Sequence, residues 1–124
     1  MNKNKIVFSF LLSCLCLLGT SMSHATTDNR MLAERCIIVA KYIKELIPEQ
    51  KEGFCIDTLR KSAKEMDISY GLIASGYSRS AIPFLDDATA LLSDNRMSSC
   101  AKSLTIFKLS QDIKVIMIEA INNN

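Results

Sequence analysis

Histidine is nearly absent from this chain: His24 is the only one in 124 residues. It stands in a segment with the order of a secretory leader. Met1 to Lys5 carries two lysines, Ile6 to Leu18 is almost wholly apolar, and Gly19 to Ala25 is small and polar. Ser23 and Ala25 suit the −3 and −1 positions of a cut. Residues 1–25 are therefore read as a cleaved signal peptide and residues 26–124 as one domain. Once His24 leaves, a Ser-His-Asp triad, a Cys-His pair and a His-containing zinc site are excluded. There is no Cys-x-x-Cys and no glycine-rich phosphate loop, so those redox, metal and nucleotide chemistries lack their residues. The expectation is a protein that is not an enzyme and holds no cofactor or metal.

A long hydrophobic run is also missing. Ile6 to Leu18 is too short for the roughly 20 residues that span a bilayer, and no stable membrane anchor is expected. Leu11-Leu12-Ser13-Cys14 resembles a lipoprotein cleavage box, but the apolar run continues past Cys14 and Ser23-His24-Ala25 is the better site. Excess charge of one sign is lacking too. Loss of Lys3 and Lys5 takes the basic residues from 15 to 13, against 13 acidic ones. A neutral chain is a poor ligand for nucleic acid, which needs clustered basic charge. Arg60, Lys61 and Lys64 make only a short patch, read as a solvated helix face.

Proline and glycine are scarce, at two and four residues, and no stretch alternates like a strand. The pattern predicts an all-α, single-domain bundle of four to five helices. Leu32, Cys36, Val39, Ile43 and Leu46 recur at helical spacing and predict a first helix from Asn29 to Ile47, ended by Pro48. Thr27 or Asp28 can cap it. Ile37 and Ile38 widen its apolar face and suggest a central helix. After a polar turn, Ile56, Leu59, Ala63, Met66, Tyr70 and Ile73 predict a second helix from about Gly53 to Ser75, with a bend or close packing at Gly71. Gly76 to Ser80 reads as a loop, and Pro83 suits the first turn of a third helix with Ile82, Leu85, Ala88 and Leu92 inward. Ser93-Asp94-Asn95 is a turn with a ready cap. From Arg96 to Ile121, Met97, Cys100, Leu104 and Phe107 form one stripe. Leu109, Ile113, Ile116 and Ala120 form a second, out of phase with the first. Two short helices, or one kinked at Ser110-Gln111-Asp112, are expected.

Cys36, Cys55 and Cys100 remain after cleavage, and export would oxidise two of them. In an antiparallel hairpin of the first two helices, Cys36 and Cys55 differ in height by roughly 10 Å at 1.5 Å per residue. A disulfide needs Cα atoms within roughly 7 Å. Cys36 and Cys100 each sit on a core stripe, so Cys36–Cys100 is the first expectation and Cys55–Cys100 the second. The first would stabilise by about 4 kcal/mol on the chain-entropy account.

Few residues suggest a site. Asp86 and Asp87 point about 100° apart on a helix and read as dipole-favoured early residues. Glu65 and Asp67 lie on the solvent side of their stripe. Tyr77, Ser78, Arg79 and Ser80 form the candidate partner-contact loop, because exposed tyrosine and arginine dominate interface hot spots.

Arg35-Cys36-Ile37-Ile38-Val39-Ala40, with Met97-Ser98-Ser99-Cys100 and the later Leu109-Ser110-Gln111-Asp112-Ile113, resembles the type VI secretion amidase-immunity proteins of the Tai family. There an opening cysteine helix is matched by a late Met-Lys-Cys helix and a Ser-x-x-Leu break. The resemblance implies a periplasmic inhibitor that forms a homodimer and plugs the cleft of a peptidoglycan amidase toxin. No toxin-contact residue is carried over from it. Two other readings fit the same composition. One is a small periplasmic acid-stress chaperone, whose switch, without histidine, would lie at acidic pH. The other is a secreted helical interaction protein with a different partner.

Overall fold

Apolar residues at three- and four-residue spacings build four α-helices among the residues described, 29–123, in a computed structural model. The leader and its cleavage site lie outside the described residues. Helix α1 covers residues 29–46 and passes into a 3-10 turn, Ile47–Glu49, with Pro48 near its start. Helix α2 is Gly53–Ala74 and α3 is Ser78–Leu92. A second 3-10 turn, Asn95–Ser99, leads into α4, Ser103–Asn122. No helix among these residues is long and apolar enough to cross a membrane.

The connections are short, so successive helices run antiparallel, and α2 packs on α3 and α3 on α4. Helix α1 closes the square. Lys44 reaches Asp67 of α2 at 2.8 Å, and Arg35 pairs with Glu119 of α4. The result is an up-down-up-down bundle. Its core takes Cys36, Ile43, Leu59, Met66, Leu85, Ile113 and Ile116, each almost wholly shielded from water. The buried hydroxyls of Ser62, Ser69 and Thr89 donate to the carbonyls of Thr58, Glu65 and Leu85, one turn back. They can therefore sit inside without stranding a polar group.

The stripe expected in α1 is the buried one, from Leu32 to Leu46. Ile37 and Ile38 are exposed, so α1 is a side of the square and not its centre. Helix α2 runs through Gly71 unbroken, as its stripe predicted, but the expected close packing is absent, since a Cβ added there would meet nothing within 4 Å. Gly76 ends α2. At φ 88° it sits in the left-handed region, its N–H donating to Ile73 O and that of Tyr77 to Leu72 O, which is the Schellman closure. Helix α3 then starts at Ser78, earlier than expected, and Pro83 falls inside it.

The last segment differs most from its expectation. The interruption lies at residues 100–102, where Lys102 adopts φ 57°, and α4 is unbroken across Ser110-Gln111-Asp112. Ser110 instead donates its hydroxyl to Phe107 O within the helix. Of the first stripe, Met97 and Cys100 are buried but Leu104 and Phe107 face solvent. The 3-10 turn and the left-handed residue shift the helical phase between the two halves.

Candidate functional site

One end of the bundle gathers the α1–α2 turn, the start of α2 and the whole α3–α4 connection. Irregular backbone of this kind ordinarily moves. Here it is held from several sides. Cys55, in the first turn of α2, is bonded to Cys100 with Cα atoms 5.8 Å apart. The disulfide is thus Cys55–Cys100, not Cys36–Cys100. Cys100 does not lie on an α-helix, as its stripe suggested, but at the end of the 3-10 turn, beside Cys55 at the start of α2. Cys36 lies more than two helical turns up α1 from that end and is a buried free thiol. Burial pushes it up to about 12, against a small lowering by Arg35, so it stays protonated and unreactive at neutral pH.

Gln50 adds a second tie. Its side-chain N–H groups donate to Leu46 O at 3.1 Å and Ala101 O at 3.0 Å, while its carbonyl oxygen accepts from Ala101 N–H at 2.9 Å. A buried carboxamide therefore reads both backbone groups of Ala101, as a neighbouring strand would. Lys102 and Glu49 pair nearby at 3.0 Å on the surface.

The outer part of the connection is equally ordered. Asp94 caps the 3-10 turn, as its sequence position suggested, accepting the Arg96 backbone N–H at 2.8 Å. Its two carboxylate oxygens also accept from Nε and Nη2 of Arg96, at 3.2 and 3.1 Å. The side-chain hydrogen bond from Arg96, then that from its backbone, holds the Asp94 carboxyl below its ordinary range. The guanidinium lies 4.1 Å from the centre of the Phe54 ring, a cation–π contact. Asn95, Arg96, Ser98 and Ser99 are left facing solvent. Beside them a cleft of about 530 Å³ opens between α3, the 3-10 turn and α4, with Leu92 and Met97 lining it inside and Leu104 and Phe107 outside.

The expected contact loop lies at the opposite end and is not a loop. Ser78, Arg79 and Ser80 form the first turn of α3. Ser78 is buried, its hydroxyl 3.4 Å from Asn29 Oδ1. Tyr77, Arg79 and Ser80 stay exposed. Asp86 and Asp87 are solvent-facing residues of α3. Asp67 is not on the open side of α2: it is half-buried against Lys44, and its Oδ1 has no partner. Among the described residues, no three His, Cys, Asp or Glu side chains converge as metal ligands.

Sequence reasoning found a capped turn at Ser93-Asp94-Asn95, in which Asp94 proves to be the cap, but missed Gln50, which looks like any polar turn residue until Ala101 is brought beside it. No known family, characterised protein or solved structure matches the chain.

Proposed function

We propose that the protein is a periplasmic inhibitor that binds and occludes a peptidoglycan amidase, presenting the pinned α3–α4 connection to the enzyme. The observation that supports this is the rigidity of an exposed irregular segment. A disulfide, the Gln50–Ala101 pair and the Asp94–Arg96–Phe54 stack fix residues 94–101 before any partner arrives. An inhibitor that works by filling a cleft needs such a segment, because little ordering entropy is then lost on binding. Arg96, whose side chain stays 70% exposed while Asp94 and Phe54 hold its guanidinium in place, is the residue type that anchors interfaces. The disulfide suits an oxidising compartment, consistent with export by the leader. The amidase as target comes from the resemblance of the Cys36 helix and the Cys100 segment to the immunity family.

The test is capture from an oxidised periplasmic extract with the protein as bait, followed by mass spectrometry and an assay of peptidoglycan cleavage. A single wall-degrading enzyme, recovered in stoichiometric amount and inhibited, is the expected result. Replacing Asn95 and Arg96 by alanine should weaken the capture while leaving the bundle folded. Recovery of many unfolded proteins, bound only in acid, would replace inhibition with the chaperone reading.

A further inference from the structure

Helix α4 is apolar on both sides. Its core face carries Ile106, Leu109, Ile113 and Ile116. Opposite them, Leu104, Phe107, Gln111, Val115 and Ile118 follow at intervals of three, four, four and three residues, which aligns them along the outward side. Leu104 is 85% exposed, Phe107 56%, Val115 47% and Ile118 55%. Charged residues, Lys108, Asp112, Lys114 and Glu119, separate the two faces, and a contiguous apolar face open to water marks an interaction site. Ile38 of α1 is also exposed and lines the same groove as Val115, so the apolar surface continues from α4 onto α1.

The pattern identifies the cover. Read outward from Gln111, the stripe is the same in both directions: large apolar residues at four and seven positions before it and at four and seven after. A two-fold axis through Gln111 therefore lays Leu104 against Ile118 of the partner and Phe107 against Val115 of the partner. An eleven-residue repeat stays nearly in line with a straight helix, so the seam need not supercoil. The one polar residue of the stripe falls on the axis, where a carboxamide can donate to and accept from its own copy. A lone polar residue in an apolar seam sets register. The flanks agree. Lys108 of one copy comes within about 3 Å, measured along the axis, of Asp112 of the partner, and the two-fold repeats that pair.

We infer that the protein is a dimer formed by antiparallel packing of α4 on α4, with the two-fold axis at Gln111. The pinned connections then lie at opposite ends of the seam, one for each of two partners.

Sedimentation velocity of the purified, oxidised protein tests this without any amidase, so its outcome is separate from that of the proposed function. A concentration-dependent dimer is expected. Ile118→Glu should weaken association by about 100-fold or more, since a carboxylate would be buried unpaired at two places, while the far-ultraviolet circular dichroism stays helical because Ile118 is exposed in the single chain. Gln111→Cys should give a dimer linked by a disulfide at the axis on mild oxidation, and Arg60→Cys on the outer side of α2 should not. A monomer at every concentration overturns the inference. So does a dimer that ignores Ile118→Glu and fails to crosslink at residue 111.

Discussion

The Gln50 carboxamide and the Ala101 backbone satisfy one another completely, the amide N–H reaching Ala101 O at 3.0 Å and Ala101 N–H reaching Gln50 Oε1 at 2.9 Å. The two residues are 51 apart in sequence, so the pair can form only after the α1–α2 turn and the α3–α4 connection have met. Because Gln50 is buried, truncating it strands polar groups out of reach of water. Gln50→Ala should destabilise the fold by about 2 kcal/mol. Gln50→Glu should cost a similar amount at neutral pH, since a carboxylate accepts from Ala101 N–H but cannot donate to Ala101 O. Urea unfolding of both variants measures this, and a change below about 0.5 kcal/mol for either would remove the tie from the account.

The Cys55–Cys100 bond closes a loop over the α2–α3 hairpin, with a sequence separation of 45. Removing that constraint with Cys55→Ser and Cys100→Ser together should lower stability by about 4 kcal/mol on the chain-entropy account. Digestion without reduction should yield one crosslinked peptide pair, containing Cys55 and Cys100, with Cys36 free. A Cys36–Cys100 pair would mean that the end of the bundle is built differently.

Helix positions were legible in the chain because their apolar spacing is set by local geometry, as the buried run from Leu32 to Leu46 shows. Phase was legible only within a helix. Cys100, Leu104 and Phe107 looked like one stripe, yet a 3-10 turn and the left-handed Lys102 interpose, turning Leu104 and Phe107 outward. The disulfide expectation failed for the same reason: it placed Cys100 on a helix side, when the residue lies at the bundle end. The Asp94 cap could be read because it concerns neighbours two residues apart. Gln50 could not, because its worth depends on Ala101.

Two glycines separate local cost from packing. Gly71 lies within α2 with open space where a Cβ would go, so Gly71→Ala should stabilise by about 0.5–1 kcal/mol through backbone entropy alone. Gly76 has equally open surroundings, but its φ of 88° strains any L side chain. Gly76→Ala should destabilise by about 1–2 kcal/mol. Opposite signs in thermal unfolding are the expected outcome, and two changes of the same sign would contradict the assignment of Gly76 as the residue that closes α2.

Asp94 and Cys36 place opposite limits on the pH range of the fold. The Asp94 carboxyl is held below its ordinary value of 3.8, first by the side-chain hydrogen bonds from Arg96. A group lowered on folding stabilises fully above its unfolded value and loses that contribution as pH falls through the folded one. The clamp on the 3-10 turn should therefore be intact at neutral pH and open only below about pH 4. Cys36 works the other way. Its thiol, raised from 9.0 to about 12 by burial, favours the folded state fully below pH 9 and loses that contribution as pH rises towards 12. Carbon-detected titration of the Asp94 carboxyl should show a midpoint below that of an exposed aspartate, and Arg96→Ala should return it towards the ordinary value. Iodoacetamide should leave Cys36 unmodified in the folded protein at pH 8 and label it in denaturant. Rapid labelling without unfolding would mean that α1 opens at its centre, which its packing against α2 and α4 forbids.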